Sequence, residues 1–261
     1  MAQLAIITGA SAGIGHALAH ELATRGYDLA LLARRAELLE SLAGELRARG
    51  RRAVAIACDV SDADAVRGAV AQAQAELGGA FDLAIANAGV SIPGHATKFK
   101  IADAEQIIRV NVLGLMYLYD AVIPSMVERG RGRFVGVASV AGLRGLPTAG
   151  PYSASKAAVQ AFLEAARIEL KPYGVGVTIV NPGFVATPMT EKNRFRMPFL
   201  MQADAAAVVI ANGIARGARV VEFPRPMSLL MRVVRYLPDA LYERIMIPYA
   251  RRKIDMTKVK R

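Results

Sequence analysis

QLAIITGASAGIGHALAHELATRG, residues 3 to 26, holds three pieces in an informative order. Gln3 to Thr8 is a short apolar run suited to a strand, and His16 to Gly26 carries a helical pattern. Between them Thr8-Gly9-Ala10-Ser11-Ala12-Gly13-Ile14-Gly15 spaces its glycines as G-x-x-x-G-x-G. Glycines at a strand-to-helix turn let the backbone approach a pyrophosphate closely, and the helix N-terminus then faces the anion with its N–H groups. Glycine clusters also mark plain turns. The strand before and the helix after favour the nucleotide-binding reading.

The same alternation continues along the chain. Tyr27 to Ala33, Arg52 to Cys58, Phe81 to Ala86, Arg133 to Ala138 and Val175 to Val180 read as strands. Ala36 to Arg49, Asp62 to Leu77, Ala104 to Val127 and Tyr152 to Leu170 read as helices between them, the last closed by Pro172 and Gly174. Strands alternating with helices predict a parallel sheet with right-handed crossovers and helices on both faces, a doubly wound α/β fold. The expected layout is one α/β domain over residues 1–223 and an extension over 224–261.

Strand ends in such a sheet point at the ligand. The second strand ends at Ala33 and is followed by Arg34 and Arg35, where an acid for a ribose 2′-hydroxyl would otherwise stand. Arginine there accommodates a 2′-phosphate, so NADP(H) is favoured over NAD(H), although two arginines opening a surface helix can be merely solvated. Asp59, after the third strand, is placed to meet the adenine amino group. The fifth strand delivers Ser139, and SVAGLRGLPTAGPYSASK (139 to 156) then leads to Tyr152 and Lys156. Four residues apart on a helix, these two side chains share a face. A phenol with an ordinary pKa near ~10 exchanges protons poorly at neutral pH unless a neighbouring cation stabilises the phenolate. Lys156 is positioned to be that cation, and the trio suits proton transfer at a carbonyl or alcohol oxygen. Alone, a Tyr–Lys pair at this spacing is usually a surface contact, and Asn111 in NVLG reads first as a satisfied buried amide.

Composition narrows the classes. A chain of 261 residues, 54% hydrophobic, can bury a large core. A single cysteine, Cys58, excludes an internal disulfide and reads as a small core residue. The early strand leaves no room for a signal segment and no run approaches a membrane span, so a cytoplasmic location is expected. His16 and His20 have a metal-compatible spacing without a third ligand candidate close in sequence, so no metal is expected. The formal net charge is +11, and twelve Lys or Arg against four Asp or Glu lie between Arg216 and Arg261, which puts most of the excess in the tail. That tail is largely apolar and carries no nucleic-acid-reading motif, so nucleic acid is not an expected partner.

Four stretches together resemble the short-chain dehydrogenase/reductase family: Thr8 to Gly15, Asn87-Ala88-Gly89, Ser139 with Tyr152-Ser153-Ala154-Ser155-Lys156, and Pro182-Gly183 with Thr187. They occur in the family's order and the likeness covers residues 3 to about 223. The resemblance implies a seven-stranded Rossmann sheet, with Tyr152 as general acid/base and Lys156 lowering its pKa and holding the nicotinamide ribose. Ser139 would orient the substrate oxygen, and Asn111 would hold a water in a proton relay behind the lysine. It places Gly9, Ser11, Gly13, Ile14 and Gly15 at the pyrophosphate, Asp59 and Val60 at the adenine, and Asn87, Ala88 and Gly89 at the switch point. Pro182, Gly183, Val185 and Thr187 fall on the nicotinamide side. The family often has Asn-Asn-Ala-Gly where this chain has Ala86-Asn87-Ala88-Gly89, which puts only the strand-end contacts in doubt. A homodimer or homotetramer is implied as well.

The resemblance implies that the segment after the sixth strand closes over the substrate as a lid near 188–203, and its Met189, Phe195, Met197, Phe199, Leu200 and Met201 suggest an apolar, adaptable pocket wall and hence a hydrophobic substrate such as an acyl, terpenoid or steroid-like ketone. The likeness weakens from Pro224. On one helix, Ser228, Arg232, Arg235 and Asp239 form a narrow polar face, and Met227, Leu229, Leu230, Met231, Val233, Val234 and Leu237 fill the rest. That arc fits an interfacial membrane helix at the inner face of a membrane, or packing on the protein's own body or a neighbouring subunit. The functional expectation is an NADP(H)-dependent oxidoreductase acting on a hydrophobic ketone and its alcohol, the alternative being a catalytically idle NADP-binding scaffold or sensor.

Overall fold

The computed structural model describes residues 2–191, 193 and 196–255, with side chains as far as residue 250. Seven parallel strands form one sheet in the order β3-β2-β1-β4-β5-β6-β7. They are β1 Leu4–Thr8, β2 Asp28–Ala33, β3 Ala53–Ala57, β4 Leu83–Ala86, β5 Gly132–Val137, β6 Val175–Pro182 and β7 Val220–Phe223. The intervening helices are α1 Gly13–Thr24, α2 Ala36–Ala48, α3 Ala63–Leu77, α4 Ile101–Ile108, α5 Gly114–Glu128, α6 Gly150–Leu170, α7 Pro188–Glu191 and α8 Ala203–Ala215. Two more, α9 Arg225–Tyr236 and α10 Asp239–Asp255, follow the last strand.

Every residue of β1 and β2 is buried, which is why these strands read as continuous apolar runs rather than alternating ones. Successive side chains go to opposite faces. Leu4 and Ile6 join Val66, Val70, Leu118 and Leu163 from α3, α5 and α6. Ala5 and Ile7 join Leu18, Leu22, Leu42 and Ile210 from α1, α2 and α8. Both layers expected from the sequence are therefore present.

Two expectations change. Ile101 to Glu128 is long and apolar enough to cross a membrane by length and composition, contrary to the reading that no run approaches a span. Its Leu115, Leu118, Val122 and Met126 are buried against the sheet, and it joins β4 to β5, which pair side by side. A transmembrane course would separate two paired strands, so this is a core helix. The tail is the second change. Its helix stops at Leu237, whose extended backbone (φ −63°, ψ 138°) is the conformation a following proline favours. Asp239 begins α10 instead of completing the polar face of α9, and Ser228 is buried, its hydroxyl donating to the Pro224 carbonyl at 3.2 Å.

Strand order reverses between β1 and β4, so the loops after these two strands meet where an open α/β sheet binds its ligand. A Cβ on Gly9 would lie 2.8 Å from the Ala88 Cα, and Gly9 has φ +68°. Only glycine serves both requirements.

Candidate active site

A cleft of about 360 Å³ runs along the C-terminal edge of the strands. Gly9, Ser11, Gly13, Ile14, Arg34, Arg35, Asp59, Val60, Asn87, Ala88, Gly89, Ser139, Tyr152, Lys156, Pro182, Gly183, Val185 and Thr187 all line it. Gly15 and Asn111 lie behind the wall. A Cβ on Gly15 would fall 2.4 Å from the Gly9 carbonyl oxygen and 2.5 Å from Asn87 Nδ2, so the bare glycine lets the two loops close on each other.

The loop end is built for an anion. α1 begins without a side-chain cap, so the N–H groups of its first turn are left to whatever occupies the cleft. Asn87 clamps the loop: its Nδ2 donates to the Thr8 and Gly9 carbonyls at 3.0 and 3.2 Å. Thr8 Oγ1 in turn accepts from the Asn87 and Ala88 N–H groups at 3.1 and 3.2 Å. These bonds do not involve Ala86, so its departure from the family pattern leaves the clamp intact. Arg35 donates to Ser11 Oγ through Nε and Nη2 at 3.2 and 2.9 Å, which brings its guanidinium over the glycine loop. Asp59 accepts from the Ser61 N–H and hydroxyl at 2.9 and 2.8 Å. Burial raises its pKa, but these two bonds and the charge of Arg34 outweigh that and hold the carboxyl below its usual value. Arg34, Asp59 and Ser61 also border a second cleft of about 250 Å³ with Arg109.

At the other end, Ser139, Tyr152 and Lys156 converge. Pro151 presets the first turn of α6, which starts two residues before the expected boundary at Tyr152. Ser139 Oγ accepts from the Ala141 N–H at 3.1 Å, donates to the Pro182 carbonyl at 3.3 Å and hydrogen-bonds the Tyr152 phenol. Burial pushes that phenol up from its ordinary value, with the Ser139 bond acting the other way. The Lys156 ammonium sits 5.8 Å from the Tyr152 ring centre and donates to the Val137 carbonyl at 2.8 Å. Of the two effects on the phenol, burial is the larger and leaves it above its ordinary value.

Asn111 lies in a π-helical turn, Arg109–Leu113, that joins α4 to α5. Its Oδ1 accepts from the Val90 N–H at 2.8 Å, and its Nδ2 donates to the Val90 carbonyl and to Ser155 Oγ, both at 3.0 Å. It ties the loop after β4 to α6, one residue before Lys156. Sequence reading missed Gln160, whose Nε2 donates to the Ser139 carbonyl at 2.8 Å and to Asn181 Oδ1 at 3.0 Å. The signal was present, since positions 152, 156 and 160 share a helical face.

The expected apolar wall assembles only in part. Met189 lines the cleft with Val90, Val110, Val185 and Pro188. Phe199 and Leu200 are exposed, Met201 packs towards the core beside Val185, and neither Met197 nor these three borders the cleft. Phe195 lies outside the described residues. Val140, Leu143, Leu146, Phe184, Met227 and Met231 instead form an apolar cluster beside Ser139, which sequence reading had not assembled.

Burial also pushes Lys156 down to about 8. A depressed pKa means the unfolded chain binds more protons between about pH 8 and pH 10.4, so stability rises with pH across that window and is lost as pH falls through it. Compared with Lys156→Met, the wild type should gain about 3 kcal/mol between pH ~7 and ~10.5. The Tm difference between the two proteins, followed over that range, checks this; a difference independent of pH would contradict it.

The comparisons with known proteins agree with this geometry. Residues 3–197 match the family model for short chain dehydrogenase. The chain is 41% identical over 239 residues to an uncharacterized oxidoreductase of Myxococcus xanthus, covering 92% of this chain and 94% of that one. It is 37% identical over 215 residues to the ketoacyl reductase HetN of a Nostoc species, covering 82% and 74%. A short chain dehydrogenase/reductase from Burkholderia phymatum in complex with NAD superposes with a TM-score of 0.82 at 26% identity, covering 88% and 92%. An alcohol dehydrogenase from the archaeon Thermococcus sibiricus, complexed with 5-hydroxy-NADP, gives 0.77 at 30% identity over 85% and 94%.

Proposed function

We propose that this oxidoreductase, which belongs to the short-chain dehydrogenase/reductase family, uses NADP(H) to interconvert a hydrophobic ketone and its secondary alcohol. The observation that carries the reading is a single cleft that brings Ser139, Tyr152 and Lys156 together and also holds Arg34 and Arg35. The glycine cradle and the uncapped start of α1 suit a pyrophosphate, and the two arginines suit a 2′-phosphate. When bound, the nicotinamide gives or takes the hydride.

The chain's own residues do the rest. Reduction puts negative charge on the carbonyl oxygen, and the hydroxyls of Ser139 and Tyr152 stabilise that charge more than the neutral ketone. Tyr152 then gives its proton to the same oxygen, and takes it back when the alcohol is oxidised. Lys156 sets the field behind the phenol and offers its ammonium to the cofactor's ribose, while Asn111 fixes the loop after β4 against the lysine's helix. Met189, with Val90, Val110 and Val185 on the same cleft wall, supports a hydrophobic substrate.

NADPH oxidation over a panel of acyl, terpenoid and steroid-like ketones, set against small sugars, tests the substrate class. We expect kcat/KM higher for the apolar panel by about 10²-fold, the discrimination one or two apolar groups provide. Comparable turnover of the sugars would overturn it.

A further inference from the structure

We propose that the outward face of α9 and α10 is a docking surface for an anionic phospholipid bilayer. α9 divides its apolar residues between two sides. Met227 and Met231 are buried against Val140, Leu143, Leu146 and Phe184. Leu229, Leu230, Val233 and Tyr236, at positions i, i+1, i+4 and i+7, are 66%, 51%, 56% and 80% exposed. On α10, Leu241, Ile245 and Tyr249 repeat every four residues and are exposed as well. A helix lying on a protein in water carries polar residues on its outer stripe. Here both helices carry large apolar ones, and apolar patches rimmed by charge mark interaction surfaces.

Charge selects the occupant. Arg225, Arg235 and Arg244 flank the stripes and are exposed, and Arg251, Arg252, Lys253, Lys258, Lys260 and Arg261 follow in sequence. A second copy of the chain seated on this face would bring two segments of net charge +8 together, twelve basic against four acidic residues in each. Anionic headgroups neutralise the same charge while the apolar stripe enters the acyl boundary.

The inner face ties this surface to the active-site loop. Arg144 donates to the Arg235 carbonyl at 3.1 Å, pairs with Asp239 and lies 4.6 Å over the Tyr242 ring, whose hydroxyl donates to the Gly145 carbonyl. The loop so gripped runs between Ser139 and Tyr152. A bilayer on the outer face would thus hold the substrate loop close to a reservoir of apolar molecules, a consequence that rests on the proposed substrate class.

Flotation of the full chain with phosphatidylcholine vesicles, with and without phosphatidylserine, tests the docking itself and needs no turnover. The wild type should float with the anionic vesicles about tenfold more than with neutral ones, and less in high salt. Leu229→Ser with Val233→Ser changes only exposed positions; it should cut flotation about tenfold while NADPH binding, the check of folding, is kept. Wild-type protein that stays at the bottom of the gradient, or a double variant that floats equally, would overturn the proposal. So would a dimer, seen by sedimentation, that the double variant dissociates with no vesicle binding by either protein; the face would then pair with a second copy.

Discussion

Tyr152→Phe should lower kcat for carbonyl reduction by about 10³-fold, the scale of a positioned general acid, with the affinity for NADPH almost unchanged. The substitution removes one oxygen and keeps the ring in place. Ser139 retains its bonds to Ala141 and Pro182, so the structural cost is that of one hydrogen bond, about 1 kcal/mol. A rate effect far larger than the stability effect is the signature of a group acting in the transition state. Single-turnover reduction with saturating NADPH, read beside the melting temperature, separates the two. A variant with near-normal turnover would mean that another group supplies the proton and that the Ser139–Tyr152 bond is structural.

Gly15→Ala should be among the most damaging single-methyl additions in the chain. The new Cβ would meet the Gly9 carbonyl oxygen at 2.4 Å and Asn87 Nδ2 at 2.5 Å, and the first of these is backbone that cannot swing aside. Relief requires the glycine loop or the Asn87 clamp to move, which breaks the bonds from Asn87 to Thr8 and Gly9. We expect a loss of about 2–4 kcal/mol in stability and a drop in cofactor affinity of at least tenfold, about one lost charge-assisted bond. Gly44→Ala and Gly68→Ala are the controls. Both lie in exposed helical turns with nothing within 4 Å of the added methyl, so each should gain up to about 1 kcal/mol. Denaturant midpoints and NADPH titrations on the three variants measure both quantities; equal effects at Gly15 and Gly44 would contradict the close-packed loop.

The contrast between these glycines shows what was readable without coordinates. Strands buried on both faces announce themselves as apolar runs, so β1, β2 and β4 could be placed directly, and the loops at their ends followed. β7 could not: Val220–Phe223 is four residues long, and its place is set by pairing with the end of β6, where that strand runs on to Pro182 beyond the expected Val180. Long-range partners are the other gap. Ser155 holding Asn111, and Gln160 bridging Ser139 to Asn181, join residues far apart in sequence that no local pattern couples. The apolar segment after β6 misled because hydrophobicity does not say which way a loop turns. Phe199 takes φ +57° in a tight turn, which leaves its ring exposed instead of in the cleft. In the tail the relevant signal was Pro238, which ends α9 and separates Asp239 from the face it was assigned to.

The most direct test of the account is a fluorescence titration of the purified chain with NADPH and with NADH, on wild type, Arg34→Ala and Arg35→Ala. The account predicts that the wild type prefers NADPH and that removing either arginine costs about 10- to 100-fold in NADPH affinity, the worth of a charged hydrogen bond, with NADH binding little changed. Equal wild-type affinity for the two cofactors, or loss of both together in the variants, would contradict a 2′-phosphate held by this arginine pair.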